Sequence, residues 1–349
     1  MNPLPADAAV FESHLPQLLA LVEKRLELQR GFHGRADLPA LDPDLFDLAR
    51  ELGLLLRVVY RYGLAEALEE ESAWYASALS SRGPGRDALT LLLDSWIVAI
   101  HGVVKPPECD RLARPLQEVR SRVDRILSRI ATPPSTLLPS GVHELVDRLV
   151  RGEKARAQGL LESRIAAGLA PHEAITDLLL PAMVEVGRRW EVGASGIWEE
   201  HLATETALGL LAGLAASARP REALPRLGLV GCVPNDEHQL APAALSAYLE
   251  LRGWNAPSLG RTLPAEQVVL AAEKLAPHAV FLSMNLLARL HDAVGLVGAL
   301  RRSRPGCPVF VGGRRAATAR TWLEEAGARV VDSFEEAHRE ATGELPDHA

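Results

Sequence analysis

What most constrains this chain is a change of hydrophobic period near residue 225. Before it, apolar residues recur at spacings of three and four, the period of a helix buried along one face. Leu15, Leu18, Leu19, Val22 and Leu26 form one such stripe, and others run through 46–62, 64–79, 89–103 and 109–130. Beyond it, short apolar or β-branched runs at 227–233, 279–284, 309–311 and 329–331 alternate with amphipathic stretches at 240–252, 265–275, 292–302 and 318–326. Alternation of this kind, through about five repeats, is the signature of an open parallel sheet covered on both faces by helices. The first period makes a helical bundle, so one chain holds both fold classes.

Proline-rich stretches at 131–139 and 218–225 mark the divisions, since clustered prolines stop helices and stiffen connections. They leave an all-helical N-terminal bundle of about five helices over 1–130, about four helices over 140–218, and the α/β segment over 226–342. Within the middle segment, Gly168 and Gly193 read as helix ends and Pro171 as a helix start. Leu178, Leu179, Met183 and Val186, with Trp190, form one apolar stripe there.

Composition excludes several classes. The chain has 349 residues, 48% of them hydrophobic and 24% charged, enough to bury a sizeable core. A formal charge of −7 argues against a nucleic-acid surface, which needs a concentrated basic face. The best candidate for a membrane span, 89–104, is interrupted by Asp94 and Ser95, so no span is expected. The N-terminus is acidic and lacks a basic leader region, so no secretory signal is expected. Three cysteines, Cys109, Cys232 and Cys307, are far apart and form no CxxC, which points to a reducing cytoplasm.

The chemistry-bearing residues fall at the carboxyl ends of the expected strands, where open α/β sheets bind ligands. After the first run comes Pro234-Asn-Asp-Glu-His-Gln-Leu-Ala241, which holds Asp236-x-His238. Such a histidine can ligate a metal through one ring nitrogen while the carboxylate takes the other N–H. Alone, it reads as readily as a solvated loop side chain. The next runs end in Ser283-Met284-Asn285 and in Gly312-Gly313, and glycines past a strand let a ligand approach the backbone.

In this order the residues resemble the cobalamin-binding domains that carry the cofactor base-off and His-on. Their motif is Asp/Glu-x-His-x-x-Gly, then Ser-x-Thr or Ser-x-Leu, then Gly-Gly. The resemblance implies a flavodoxin-like fold, with His238 as lower axial cobalt ligand and Asp236 orienting it. It implies that Ser283 hydrogen-bonds the displaced dimethylbenzimidazole and that Gly312 and Gly313 line the nucleotide-tail cleft. Leu251-Arg-Gly-Trp254 and Leu259-Gly-Arg-Thr-Leu-Pro264 look like the family too. Two positions depart from it: Ala241 replaces the motif glycine, and Asn285 replaces the usual Thr or Leu. Both bear on the fit of the tail, and neither removes the axial ligand.

Ahead of this module, Trp190 is followed after nine residues by Glu200-His201. That spacing is similar to the cap of adenosylcobalamin-dependent light sensors, among them the photoreceptor repressors of carotenoid synthesis. The resemblance makes 140–218 a four-helix cap, with Trp190 over the upper ligand and Glu200 and His201 facing the adenosyl group. It implies His201 as upper cobalt ligand once light has broken the cobalt–carbon bond. Read by residue type alone, Trp190 is a core aromatic and Glu200-His201 a solvated helix start. Trp198, three residues before His201, is either a second pocket wall or ordinary core.

Those repressors begin with a helix-turn-helix domain. Residues 1–130 here are too long and too acidic for one and lack a basic recognition helix, so direct nucleic-acid binding is not expected. A multi-helix segment in this place resembles the photocobilins, which combine cobalamin with biliverdin. Arg57, Tyr60, Arg61, Tyr62, Trp74, Tyr75, Trp96 and His101 are candidates to hold a linear tetrapyrrole. Cys109 is the sole thiol there and lacks the Cys-His attachment pair, so a bilin would be held non-covalently. The alternatives are a dimerisation bundle, a haem sensor ligated by His101, or snorkelling surface side chains.

The expectation is a non-enzymatic cytoplasmic light sensor that binds adenosylcobalamin and biliverdin. Light would change its oligomeric state, and it would signal to an effector protein; the acidic tail 335–349 shows no effector motif. The main rival is a corrinoid methyl carrier of a methyltransferase system, with the same His238 and a small upper ligand. A module that has lost its cofactor is a further alternative, favoured by Ala241.

Overall fold

The computed structural model describes residues 5–32, 44–80, 85–131, 138–218 and 224–343. Most of the helix breaks expected at 31–43 and 82–86, and of both proline-rich stretches, lies outside these residues; Gly31 and Phe32 still belong to the first helix, and Gly85 and Arg86 open the fourth. The chain divides into two compact units, Met1–Ser135 with Arg189–Ala194, and Thr136–Arg188 with Ser195–Ala349.

In the first unit the described helices are α1 (Pro5–Phe32), α2 (Asp44–Tyr62), α3 (Ala67–Ser80), α4 (Gly85–Val103), α5 (Glu108–Ser121) and α6 (Val123–Ala131). The stripe over 109–130 is therefore two helices. At Arg122 the backbone N–H turns back to the carbonyl of Val119, a tighter turn than the α-helical one. Phe11, Tyr60 and Trp96 centre the core, with Phe11 edge-on to Tyr60 at 4.8 Å and 6.1 Å from Trp96. Gly53 permits this packing, since a Cβ there would lie 2.8 Å from the Trp96 ring. Arg111 on α5 donates to the fully buried carboxylate of Asp7 on α1 at 2.6 and 2.8 Å.

The second unit begins with helices α7 (Val142–Val150) and α8 (Lys154–Ala166). A continuous helix follows, made of α9 (Pro171–Glu173), a π-helical turn at Ala174–Leu179 and α10 (Leu180–Glu191), then α11 (Ile197–Ala218). Pro171 opens its helix as expected, with Glu173 accepting from the Ala170 N–H at 2.9 Å. Gly168 and Gly193 end helices with φ of 108° and 70°, which suits glycine. Leu178, Leu179, Met183 and Val186 are buried in one core, whereas Trp190 is half-buried in the 189–194 stretch of the first unit.

Four parallel strands follow in spatial order: β1 (Gly228–Cys232), β2 (Ala279–Ser283), β3 (Val309–Gly312) and β4 (Arg329–Val330). Every residue of β1 and β2 is buried, as in a sheet covered on both faces. The fifth position, outside β1, is taken by 255–260, which pairs only at Leu227 with Asn255 and at Val230 with Ser258. Pro257 sits in it and has no N–H for a regular ladder. The spatial order is thus that of a flavodoxin-like sheet, with the topological switch between β1 and β2. Helices α12 (Leu240–Leu251), α13 (Ala265–Leu275), α14 (Leu290–Ser303) and α15 (Arg320–Glu325) connect the strands.

The stretch read as the start of an acidic tail is instead α16 (Phe334–Thr342). Ser333 caps it by accepting the Glu336 N–H at 3.0 Å, and Ala337 and His338 bury its inner face. One apolar core runs from α7–α11 through α12 into the sheet. Among the described residues no helix is long and apolar enough to cross a membrane.

Candidate functional site

The site is built where the sheet changes direction. The loop after β1 turns at Asn235, whose φ of 63° lies in the left-handed region that asparagine tolerates. Its side-chain amide donates to Asp292 on α14 at 2.9 Å, which anchors the turn. Asp236 follows, fully buried, with His238 half-exposed beside it.

Asp236 Oδ1 lies 2.7 Å from His238 Nδ1 and also accepts the His238 backbone N–H at 3.1 Å. Its Oδ2 accepts the Asn285 N–H at 2.7 Å. Burial opposes ionisation of this carboxyl, but the bonds from His238 and Asn285 outweigh it and hold the group below the usual carboxylate range. An ionised carboxylate only accepts, so Nδ1 must carry the proton, which leaves the Nε2 lone pair available to a metal. Cys232 is the nearest thiol, and burial followed by the charge of Asp236 pushes it up to about 12. In the metal-free protein it is a thiol rather than a thiolate.

Beside this pair lies a cleft that opens to solvent. The carboxyl halves of β1, β2 and β3 form one wall and α12 with α16 the other, and Ser283, Gly312, Gly313 and Ala241 all line it. The two glycines differ in what they require. Gly313 has φ of 105°, and a Cβ there would lie 2.6 Å from the Met284 carbonyl oxygen, so the β2–β3 crossing itself demands glycine. At Gly312 a Cβ would meet the Val331 carbonyl at 3.4 Å, an ordinary contact, so its bareness mainly widens the cleft.

Asn285 is the residue that sequence reasoning undervalued. The Arg314 backbone N–H donates to its Oδ1 at 3.3 Å, which turns Nδ2 towards Ser283, where it donates to Oγ at 3.0 Å. Ser283 therefore accepts from Asn285 and keeps its own hydroxyl proton as a potential donor in the cleft it lines. Far from being only a departure from a motif, Asn285 ties three loops together. The sequence carried one signal for it, namely its place two residues after Ser283.

These residues fit a corrinoid with a displaced base. A half-exposed imidazole whose tautomer is fixed by a buried carboxylate sits three residues before Ala241 of the cleft wall, and the apolar cleft includes the Ser283 hydroxyl among its lining. Ala241 does reach the cleft, so its methyl narrows the space where the motif has glycine.

On the cap, Glu200 and His201 form a second carboxylate–imidazole pair near the start of α11. Glu200 Oε2 lies 2.9 Å from His201 Nδ1, which is also 3.0 Å from the Ile197 carbonyl, and Thr204 donates to Glu200 at 2.9 Å. The His201 side chain is 72% exposed. Trp198 is also exposed and is not the core residue that was one of its two readings. Of the bilin candidates, Tyr60 is buried and donates to the Leu112 carbonyl at 2.7 Å, Tyr75 and Trp96 are buried, and Arg61 pairs with Glu12 at 2.9 Å. Arg57, Tyr62 and Trp74 are half-buried, and His101 is exposed.

Comparison with known proteins defines the class. Residues 142–214 match a family model described as a B12 binding domain, and residues 226–342 match a second model of the same description. Both segments together indicate a cobalamin or corrinoid cofactor. Among relatives, the HTH-type transcriptional repressor CarH of Myxococcus xanthus is 31% identical over 187 residues, 53% of this chain and 61% of that protein. The methanol–corrinoid protein of Methanosarcina barkeri is 26% identical over 170 residues, 46% of this chain and 65% of that protein. The dimethylamine corrinoid protein of the same species is 25% identical over 191 residues, 54% of this chain and 88% of that protein. The chain thus spans less than two thirds of the length of the first two relatives.

Proposed function

We propose that this protein is a light sensor that holds adenosylcobalamin between its 140–218 cap and its 226–342 module. The observation that carries cofactor binding is the buried Asp236 holding Nδ1 of His238 at the switch point, beside the cleft. In this reading His238 would hold the cobalt, with Asp236 orienting it, Ser283 would donate a hydrogen bond to the cofactor's base, and Gly312 and Gly313 would line the path of its tail. When bound, adenosylcobalamin supplies a light-sensitive cobalt–carbon bond.

The chain's own residues do the rest. Trp190, Glu200 and His201 would hold the cofactor's adenosyl side, and His201 would be the residue available to bind cobalt once light has acted. The Glu200–His201 pair supports that role, because it fixes one ring nitrogen as Asp236 does for His238. The similarity to a transcriptional repressor supports a regulatory output. We assign that output to an effector protein and to a light-dependent homo-oligomer rather than to catalysis or direct DNA binding, in the cytoplasm. Biliverdin, held non-covalently at the N-terminal bundle, is assigned as second chromophore on the resemblance to photocobilins.

A second reading, a corrinoid methyl carrier, is favoured by the similarity to two corrinoid proteins. One experiment separates them. Protein produced with adenosylcobalamin and a biliverdin source is scanned in the dark and after green light. The sensor reading expects a cobalamin spectrum that changes on illumination, with His-on features lost in His238→Ala and the illuminated state altered in His201→Ala. A bound corrinoid indifferent to light supports the methyl carrier, and absence of any corrinoid overturns both.

A further inference from the structure

We propose that the corner between α4 and α5 is a binding site for a divalent transition-metal ion of the Zn2+ class, with His101, Cys109 and Asp110 as ligands. His101 stands on the last turn of α4, and Cys109 and Asp110 on the first turn of α5. Each offers one ligand atom, and the three atoms lie within 4.8 Å of one another. The site is separate from the corrinoid residues, and its proposal does not rest on the light-sensor reading.

The spacing is informative. His101 Nδ1 is 3.8 Å from Asp110 Oδ1, and the Cys109 thiol donates to the same oxygen at 3.7 Å. A hydrogen bond between imidazole and carboxylate closes to about 2.7–3.2 Å, so the first contact is too long for one. Ligands around a tetrahedral Zn2+, with bonds of about 2.0–2.3 Å, stand about 3.3–3.6 Å apart. The two distances to Asp110 are therefore a few tenths of an ångström outside that spacing, and His101 and Cys109 lie within 4.8 Å of each other, so a bound ion would have to draw the histidine and the thiol together.

Donor chemistry selects the ion. One thiol, one imidazole and one carboxylate suit a borderline-soft metal, whereas magnesium and calcium prefer oxygen alone. Cys109 is 3% exposed and forms the inner wall, while the His101 and Asp110 side chains, 37% and 69% exposed, form an open rim. A water completes a fourth position on that side. The ion would join the two helices across the 104–107 connection, next to the Arg111–Asp7 pair that ties α5 to α1.

The test uses the full chain with its corrinoid bound. The protein is stripped with a chelator, loaded with Zn2+, desalted and assayed for zinc per chain, and its thermal melting is followed with and without Zn2+. One retained zinc per chain and a raised melting temperature are expected, unchanged in His238→Ala. His101→Ala and Asp110→Asn should each weaken retention by about tenfold or more, and Cys109→Ser should abolish it. Co2+ in place of Zn2+ should add a thiolate charge-transfer band to the difference spectrum, absent in Cys109→Ser. If Cys109→Ser does not fold, the exposed His101→Ala decides the matter, provided its metal-free melting matches the parent. Failure of the parent chain to retain Zn2+, or undiminished retention in His101→Ala, overturns the proposal.

Discussion

Asp236 accepts three hydrogen bonds, two from His238 and one from Asn285, all while fully buried. An asparagine there would turn its NH2 towards one of those donors, so Asp236→Asn should lower corrinoid affinity by about 10- to 100-fold. Titration followed by absorbance measures this, and an unchanged circular dichroism spectrum keeps it apart from unfolding. Ala241 makes a complementary prediction, because its methyl lines the cleft. Ala241→Gly should tighten binding of complete cobalamin by a few-fold and leave a corrinoid without the nucleotide tail unaffected; equal effects on both would remove Ala241 from the tail's path. Gly313→Ala should cost about 1–3 kcal/mol through its φ and the clash with Met284, read as a lowered melting temperature. The Asp236–His238 pair was legible in the sequence because its members are two residues apart. Asn285 was not, since it meets Asp236 and Arg314 across 49 and 29 residues, and only the closed sheet brings those loops together.

Between elements, one polar cluster joins the cap to the α/β domain. Arg252 on α12 donates to His172 Nε2 on α9 at 3.2 Å and to His338 Nδ1 on α16 at 3.4 Å, and Tyr248 donates to Glu335. A guanidinium has no lone pair, so both imidazoles must accept and His172 must be neutral. Burial first, and the charge of Arg252 second, lower the His172 pKa from its ordinary value of 6.5. A histidine with a depressed folded-state value contributes stability above the unfolded value, which is lost as pH falls through the folded one. The melting temperature of the second unit should therefore drop as pH is taken from about 7.5 to about 5. His172→Gln should flatten that slope, and an unchanged slope would assign the acid sensitivity to other groups. Nothing in the local sequence marks this cluster, because its bonds join residues 80 to 87 positions apart on three helices.

For the whole molecule, the proposed output is a change of assembly. Light scattering after gel filtration, in the dark and after illumination, should give two different masses for the corrinoid-loaded chain. A mass indifferent to light would leave the effector protein as the sole route of the signal. The division into fold classes was already present in the sequence, because a helix buried on one face and a strand buried on both leave different apolar periods. So was the order of chemistry along the chain, since carboxyl-end loops follow their own strands directly. Other features depend on tertiary structure. The edge segment 255–260 reads as a loop, with Pro257 in it, yet docks beside β1. Residues 335–349 read as an acidic tail, yet its start folds into α16 because Ala337 and His338 find a buried place. Tyr60 and Trp96 read as candidates to hold a tetrapyrrole, with a snorkelling surface side chain as the alternative for the tyrosine, yet both are buried in packing against Phe11. Period and motif order depend on neighbours along the chain, whereas burial and loop-to-loop bonds depend on neighbours in space, which exist only once the sheet and bundles have closed.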